Sequence, residues 1–252
     1  MTTRRDVIRT LAGLPLAAVL ADPRLAAAAA SGLESVRIRT ASGKEVAGAL
    51  ALPQGEARGG VLLIHEWWGL NDQIKSVAAE LAKEGYVALA CDLYNGKVTA
   101  DRTDARALMK SVEPQAAKET VTAWLNWLGE RKDTRNRLAT IGWCFGGGWS
   151  LNASLAAPVN ATVVYYGNVR KDEFDLESLN GPVLGHYATE DQWINREMVN
   201  GFEEAMRAAG KAYTSHWYEA KHAFANPTSA RYDGDDAALA WSRTLDFLRD
   251  HL

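Results

Sequence analysis

Short apolar runs alternate with amphipathic stretches along most of the chain. Residues 60–65 and 86–91 are continuous apolar runs, typical of strands buried on both faces of a parallel sheet. Residues 72–83, between them, carry apolar side chains at helical spacing, so the three segments predict one strand–helix–strand unit. The alternation continues to the C-terminus, with strands predicted at 138–142, 161–166, 182–187 and 212–218 and helices at 100–131 (split at Pro114), 146–156, 195–209 and 235–252.

This alternation predicts an α/β fold, a doubly wound and mostly parallel sheet with helices on both faces. Residues 36–40 and 46–52 instead alternate with period two around a Ser-Gly turn, so we expect an N-terminal β-hairpin ahead of the parallel strands. In such a sheet, functional residues gather beyond the C-terminal ends of the strands.

The first thirty residues follow a different pattern. Arg4 and Arg5 precede an apolar stretch over residues 11–20 and an alanine tract over 26–30, the order of an export signal. The adjacent arginines resemble the twin-arginine signal, and an amphipathic or disordered extension is the alternative. We expect residues 1–30 to be a signal peptide and residues 31–252 to be a single domain that works in the bacterial periplasm or is secreted.

Charge and cysteine content narrow the function classes. The 252-residue chain has 28 basic and 31 acidic residues, which leaves no basic field for nucleic acid. The apolar stretch near the N-terminus is too short for stable membrane insertion. Two cysteines, Cys91 and Cys144, are too few for a disulfide framework or a cysteine-rich zinc site, and the sequence has no His-Glu-x-x-His motif. We therefore expect no metal.

The most informative segment surrounds Cys144. Gly142 and Gly146 flank it between a predicted strand and a predicted helix of small residues, the pattern of a nucleophile elbow with cysteine as the nucleophile. At a helix N-terminus the dipole and the free N–H groups favour a thiolate. A buried structural cysteine, a phosphate-cradling turn and a disulfide with Cys91 are the alternatives.

A matching acid and base follow in the chain order that the elbow requires. Asp191 comes just after the strand predicted at 182–187, and His222 just after the strand that ends at residue 218. The imidazole would take the thiol proton and the carboxylate would orient the imidazole. Glu190 is a rival for the acid, and a structural loop histidine is the alternative for His222.

The loop after the strand at 60–65 completes the candidate site. In this fold it supplies the second oxyanion-hole donor, so the backbone N–H groups of Trp67 and Phe145 are the candidates. Glu66 is a candidate to hold or take the cysteine proton, with a solvated loop residue or a salt bridge as the alternative. Four tryptophans either line an aromatic pocket or pack in the core: Trp67, Trp68, Trp143 and Trp193.

The segments GWCFGG, HEWWGLND, ATEDQW and KHAFANP together resemble the dienelactone hydrolase family over residues 34–252. The resemblance implies an α/β-hydrolase fold, no cofactor and hydrolysis of cyclic or enol esters. It also implies the roles of four residues: Cys144 as nucleophile, His222 as base, Asp191 as its orienting acid and Glu66 as the carboxylate that activates the thiol.

Two positions depart from that family. Asn226 occupies a position where founding members carry a substrate-binding arginine, and a second arginine has only Arg102 and Arg106 as nearby candidates. We expect a monomeric hydrolase of a small-molecule ester or lactone that forms a thioester acyl-enzyme. A non-hydrolytic binding protein that keeps the fold is the alternative, and acyl transfer to another acceptor is a third.

Overall fold

The computed structural model describes residues 23–252. Eight strands form one sheet: β1 Glu34–Arg39, β2 Glu45–Ala51, β3 Gly60–Ile64, β4 Val87–Cys91, β5 Leu138–Trp143, β6 Ala161–Tyr165, β7 Val183–Ala188 and β8 Tyr213–Tyr218. The helices are α1 Pro23–Ala30, α2 Asp72–Lys83, α3 Arg102–Lys110, α4 Pro114–Glu130, α5 Phe145–Ala156, α6 Arg196–Ala208 and α7 Gly234–His251, with a short 3₁₀ turn at Lys132–Thr134.

The sheet confirms the predicted fold class. Its strand order is β1-β2-β4-β3-β5-β6-β7-β8. The six strands β3 to β8 are all parallel to one another. β1 and β2 form the predicted antiparallel hairpin, which joins the sheet through β4. Because the parallel strands share a direction, the loops that follow β3, β5, β6, β7 and β8 lie along one edge.

Helices cover both faces of the sheet, as the apolar pattern predicts. β3, β4 and β5 are buried along their whole length. Apolar side chains of α2 and α7 pack on one face, and those of α4 and α5 pack on the other. The apolar side of α6 builds a third cluster with β7. The rigid sheet therefore supports the loops at its edge.

The helix α1 lies against α2, with Ala26 and Ala30 buried. The Ser76 hydroxyl donates a hydrogen bond to the Ala26 carbonyl oxygen at 2.8 Å. Residues 1–22 of the predicted signal peptide lie outside the described residues, so the boundary at residue 31 stays a prediction. Within residues 23–252, no helix combines the length and apolar character needed to cross a membrane.

Candidate active site

Cys144 stands at a sharp turn between β5 and α5. Its backbone has φ 54° and ψ −116°, a conformation that side-chain-bearing residues rarely adopt. A Cβ on Gly142 would lie 2.0 Å from the Gly146 carbonyl oxygen, and one on Gly146 would lie 2.2 Å from the Ile64 carbonyl oxygen. Both positions therefore require glycine, because β5, α5 and β3 approach one another too closely for any side chain.

His222 and Asp191 meet beside this turn. Nδ1 of His222 lies 2.6 Å from Oδ2 of Asp191, whose side chain is fully buried. The other carboxylate oxygen accepts hydrogen bonds from the N–H groups of Trp193 at 2.8 Å and Ile194 at 3.1 Å. Glu190 is exposed and lies 3.8 Å from Lys221 instead. The loop after β7 thus orients Asp191, and not Glu190, toward the imidazole.

The surroundings of His222 favour its charged form. Burial alone would lower the pKa of this histidine, but its interactions with Asp191 and with Cys144 outweigh burial and raise the pKa to about 10. The rings of Tyr166 and Trp193 flank the imidazole, each with its centroid 5.1 Å away. An imidazolium can therefore persist next to the Cys144 sulfur.

Glu66 is buried next to this pair and is held by two polar side chains. The Tyr166 hydroxyl donates to Oε1 at 3.2 Å, and the Asn226 amide donates to Oε2 at 2.6 Å. Burial raises the pKa of Glu66, while these two hydrogen bonds and the nearby His222 oppose that rise. This arrangement excludes both alternatives for Glu66, since its carboxylate is buried and forms no salt bridge with any side chain of residues 23–252.

Sequence reasoning missed Tyr166 as part of the site and saw Asn226 only as a departure from the family pattern. Tyr166 directly follows β6 and has a positive φ of 37°. A polar aromatic residue at the end of a predicted strand was the only signal that marked it. In the structure both residues fix the position of Glu66.

The two predicted oxyanion donors are available. Neither the N–H of Trp67 nor that of Phe145 has a hydrogen-bond acceptor within residues 23–252. The loop that carries Trp67 is held by a hydrogen bond from the Thr99 N–H to the Trp68 carbonyl oxygen at 3.1 Å. Phe145 begins α5, so its N–H is one of the free donors that every helix N-terminus presents.

Of the four tryptophans considered for the pocket wall, three are at least partly exposed and one is buried in the core. Trp193 is 57% exposed and lies edge-on to His222, and the rings of Trp67 and Trp68 pack on each other at 4.7 Å. Trp143 is instead buried, with its ring stacked on Tyr165 at 5.4 Å. Of the two alternatives, core packing therefore holds for Trp143, which lies on the core face of β5 with Ile141 and Ala139.

The remaining candidates lie elsewhere. Cys91 is buried in β4 and both cysteines are free, so the structure contains no disulfide between Cys91 and Cys144. Arg102 and Arg106 are exposed residues of α3. His65 has both ring nitrogens hydrogen-bonded, Nδ1 to the Glu66 carbonyl oxygen and Nε2 to the Leu93 N–H. These contacts give it a structural role.

The sequence profile of the dienelactone hydrolase family matches residues 46–252. The chain belongs to the dienelactone hydrolase family. It is a dienelactone hydrolase-like hydrolase of the carboxylic ester and lactone class, and its fold is that of an α/β-hydrolase.

Individual members of the dienelactone hydrolase family agree with this assignment. A Bradyrhizobium protein named "Probable 2-oxo-3-(5-oxofuran-2-ylidene)propanoate lactonase" is 31% identical over 199 residues, covering 73% of this chain and 80% of that protein. "Carboxymethylenebutenolidase 1" of Cupriavidus pinatubonensis is 23% identical over 225 residues, covering 85% and 96%. A solved structure named "m3DLH" is 26% identical, with a TM-score of 0.78 over 87% of this chain and 99% of that one.

Proposed function

We propose that this dienelactone hydrolase-family protein cleaves a carboxylic ester or lactone with Cys144 as the nucleophile. The observation that carries the proposal is the contact between His222 and Asp191 at 2.6 Å next to the strained elbow that presents Cys144. An oriented base beside a nucleophile at a helix N-terminus is the arrangement that acyl transfer requires. Two free N–H groups at the same place supply the oxyanion donors.

The reaction follows in two halves. In the resting site His222 already holds the thiol proton as an imidazolium. The Cys144 thiolate adds to the substrate carbonyl carbon while the carbonyl π electrons move onto oxygen. The N–H groups of Trp67 and Phe145 stabilise that oxyanion. When the C–O bond breaks, the imidazolium gives its proton to the leaving oxygen and a thioester remains. Water then loses a proton to the now neutral His222 and attacks the thioester, which releases the carboxylic acid and restores the Cys144 thiolate beside the His222 imidazolium.

Glu66 supports this cycle by its charge. Tyr166 and Asn226 each donate a hydrogen bond to one oxygen of Glu66. The carboxylate therefore acts on His222 through its charge and not through a hydrogen bond, and it stabilises the imidazolium in the resting site. In a buried site such a through-space attraction is weakly screened. We therefore assign to Glu66 the activation of the thiol by way of the imidazolium, and to Asn226 the holding of Glu66.

The names of the relatives favour a lactone as the substrate. They are called a butenolidase and a furan-ylidene lactonase, both of which act on unsaturated five-membered lactone rings by name. We propose an unsaturated lactone or an activated enol ester as the substrate class. Asn226 is buried and its amide is engaged by Glu66 and Thr228, so this position provides no positive charge for a substrate carboxylate.

Replacement of Cys144 tests the proposal. Cys144→Ala is expected to abolish hydrolysis of a panel of lactones and activated esters, because no thioester can form. Cys91→Ala is the matched control, since Cys91 is buried in the core cluster of α4 whereas Cys144 packs against the cluster of α2 and α7, and this variant should keep wild-type kcat/KM once folded. Full activity of Cys144→Ala would overturn the assignment, and mass spectrometry of the quenched wild-type enzyme should show the acyl group on Cys144.

We further propose that the protein is exported from the bacterial cell through its N-terminal segment. The support is the order of charge and apolar residues in the first thirty positions, with adjacent Arg4 and Arg5. The working enzyme would then be the domain of residues 31–252.

A further inference from the structure

The hydroxyl of Tyr94 is a buried polar group without a partner. The residue follows β4 and is only 4% exposed, and its hydroxyl has no hydrogen bond to any group within residues 23–252. An unsatisfied buried hydroxyl costs about 1–3 kcal/mol. The other two such atoms in the described chain are Oε1 of Gln73, in the first turn of α2, and Nε1 of Trp124, in the core cluster built by α4.

Tyr94 packs against His65 and Phe145, which belong to the two segments that supply the oxyanion donors. Its ring lies edge-on to His65 with a centroid distance of 4.6 Å and is tilted against Phe145 at 5.6 Å. His65 begins the loop that carries the Trp67 N–H, and Phe145 carries the other donor. The phenol therefore lies on the oxyanion side of Cys144. Burial raises the pKa of Tyr94, and the nearby charge of a Cys144 thiolate raises it further.

The local backbone holds Tyr94 in place. Its N–H donates to Oδ1 of Asp92 at 2.7 Å, and the adjacent Leu93 N–H donates to Nε2 of His65 at 3.2 Å. These bonds tie the turn after β4 to the end of β3. The hydroxyl is thus positioned before any substrate binds, which is the condition for effective transition-state stabilisation.

A second tyrosine near Cys144 provides the contrast. The Tyr166 hydroxyl also feels the charge of Cys144, but it already donates to Glu66 at 3.2 Å. Tyr94 is the one of the two whose proton has no acceptor within residues 23–252. Because burial disfavours its anion, the phenol stays protonated and able to donate.

We propose that the Tyr94 hydroxyl is a third oxyanion donor, which binds the carbonyl oxygen of the ester or lactone substrate alongside the N–H groups of Trp67 and Phe145. The inference rests on the proposed function, in which a tetrahedral oxyanion forms on Cys144. As the Cys144 sulfur bonds to carbon, the negative charge that develops on oxygen accepts the phenolic hydrogen bond. The phenol keeps its proton throughout, so it differs from an acid catalyst.

The test is Tyr94→Phe, which removes the hydroxyl and keeps the ring. We expect kcat on a lactone to fall about 10²-fold with little change in KM, as for the loss of one oxyanion donor. The rate at which iodoacetamide alkylates Cys144 should stay at the wild-type value, because alkylation builds no oxyanion. The urea midpoint should not fall, since the lost hydroxyl has no protein partner.

Tyr213→Phe is the matched control. Its hydroxyl donates to the Tyr187 hydroxyl at 3.0 Å, away from the elbow. We expect this variant to lose stability and to keep kcat/KM, the reverse of Tyr94→Phe. A control variant with the same loss of kcat as Tyr94→Phe would overturn the inference.

Three further results would also overturn it. An unchanged kcat in Tyr94→Phe would show that the hydroxyl does not contact the transition state. Equal losses of kcat and of alkylation rate would place Tyr94 in thiol activation, and a lowered urea midpoint would make it structural. If Cys144→Ala is inactive and Tyr94→Phe is fully active, only this inference fails, whereas an active Cys144→Ala removes the proposed function itself.

Discussion

At the scale of single residues, the site depends on how the buried charge of His222 is stabilised. His222 keeps a pKa of about 10 despite burial because Asp191 and Cys144 both stabilise the imidazolium. In the unfolded chain a histidine titrates near its ordinary pKa of ~6.5. The pair therefore stabilises the folded state fully below about pH 6.5, and this contribution is lost as the pH rises toward the folded-state value.

The variant Asp191→Asn tests that electrostatic role. Loss of the carboxylate lowers the pKa of His222 and frees its orientation, so kcat/KM should fall about 10²- to 10⁴-fold. The free energy of unfolding in urea should fall more at about pH 6 than at about pH 10, because only the charged imidazole loses its partner. Glu190→Gln is the control, since Glu190 faces solvent. Equal destabilisation at both pH values would contradict the role of the charge.

The positions of Cys144, Asp191 and His222 could be predicted from sequence, whereas their neighbours could not. A glycine-flanked turn and residues placed after strands are local signals, readable without a fold. The contacts of Glu66 with Tyr166 and Asn226 depend on which strand ends are neighbours, which no local pattern specifies. The sequence left wall and core packing open for Trp143, because its side chain lies on the same side of β5 as that of Ile141 and that side becomes core only once α2 and α7 cover the face.

At the scale of elements, the elbow is the place where β5, α5 and β3 come closest. Gly142→Ala should prevent folding or cost several kcal/mol, because the new Cβ would lie 2.0 Å from the Gly146 carbonyl oxygen and backbone must move. Soluble yield and thermal unfolding measure the effect. A variant with the wild-type melting temperature would show that the elbow can relax.

Gly201→Ala is the matched control for that prediction. Gly201 lies within α6, and a Cβ added there meets no atom within 4 Å. The same substitution should therefore stabilise the protein by about 0.4–1 kcal/mol, since alanine favours the helix and restricts the unfolded chain. Both variants replace glycine by alanine. If one lowers and the other raises the free energy of unfolding, the difference is due to the close packing at the elbow.

The apolar pattern predicted nearly every element of the described fold to within about two residues, in keeping with the usual uncertainty of element ends. Long periodic segments such as α2 and α7 and fully buried strands such as β3 gave clear signals. The order of the strands was not readable in the same way. β2 pairs with β4, and not with the next strand in sequence, β3, because the hairpin adds to the edge that the first crossover leaves open.

At the scale of the whole molecule, the proposed export signal decides the compartment in which the protein acts. We expect replacement of Arg4 and Arg5 by lysine to block export, because the proposed signal depends on that pair. Cell fractionation with detection of the protein would measure it, with Arg24→Lys as the control. Undiminished export of the doubly substituted chain would contradict a twin-arginine signal and would mean that the protein is exported by another pathway.

Because Cys91 is buried, a thiol titration of the folded protein counts active sites. In the folded chain that thiol is enclosed in β4 and burial raises its pKa, so reagents reach only the half-buried Cys144. Thiol titration of a native sample would then report the number of intact sites per chain, and the count would rise from one to two as the protein unfolds. Cys91 and Cys144 together thus let a single reagent distinguish a preparation with damaged sites from one that has lost its fold.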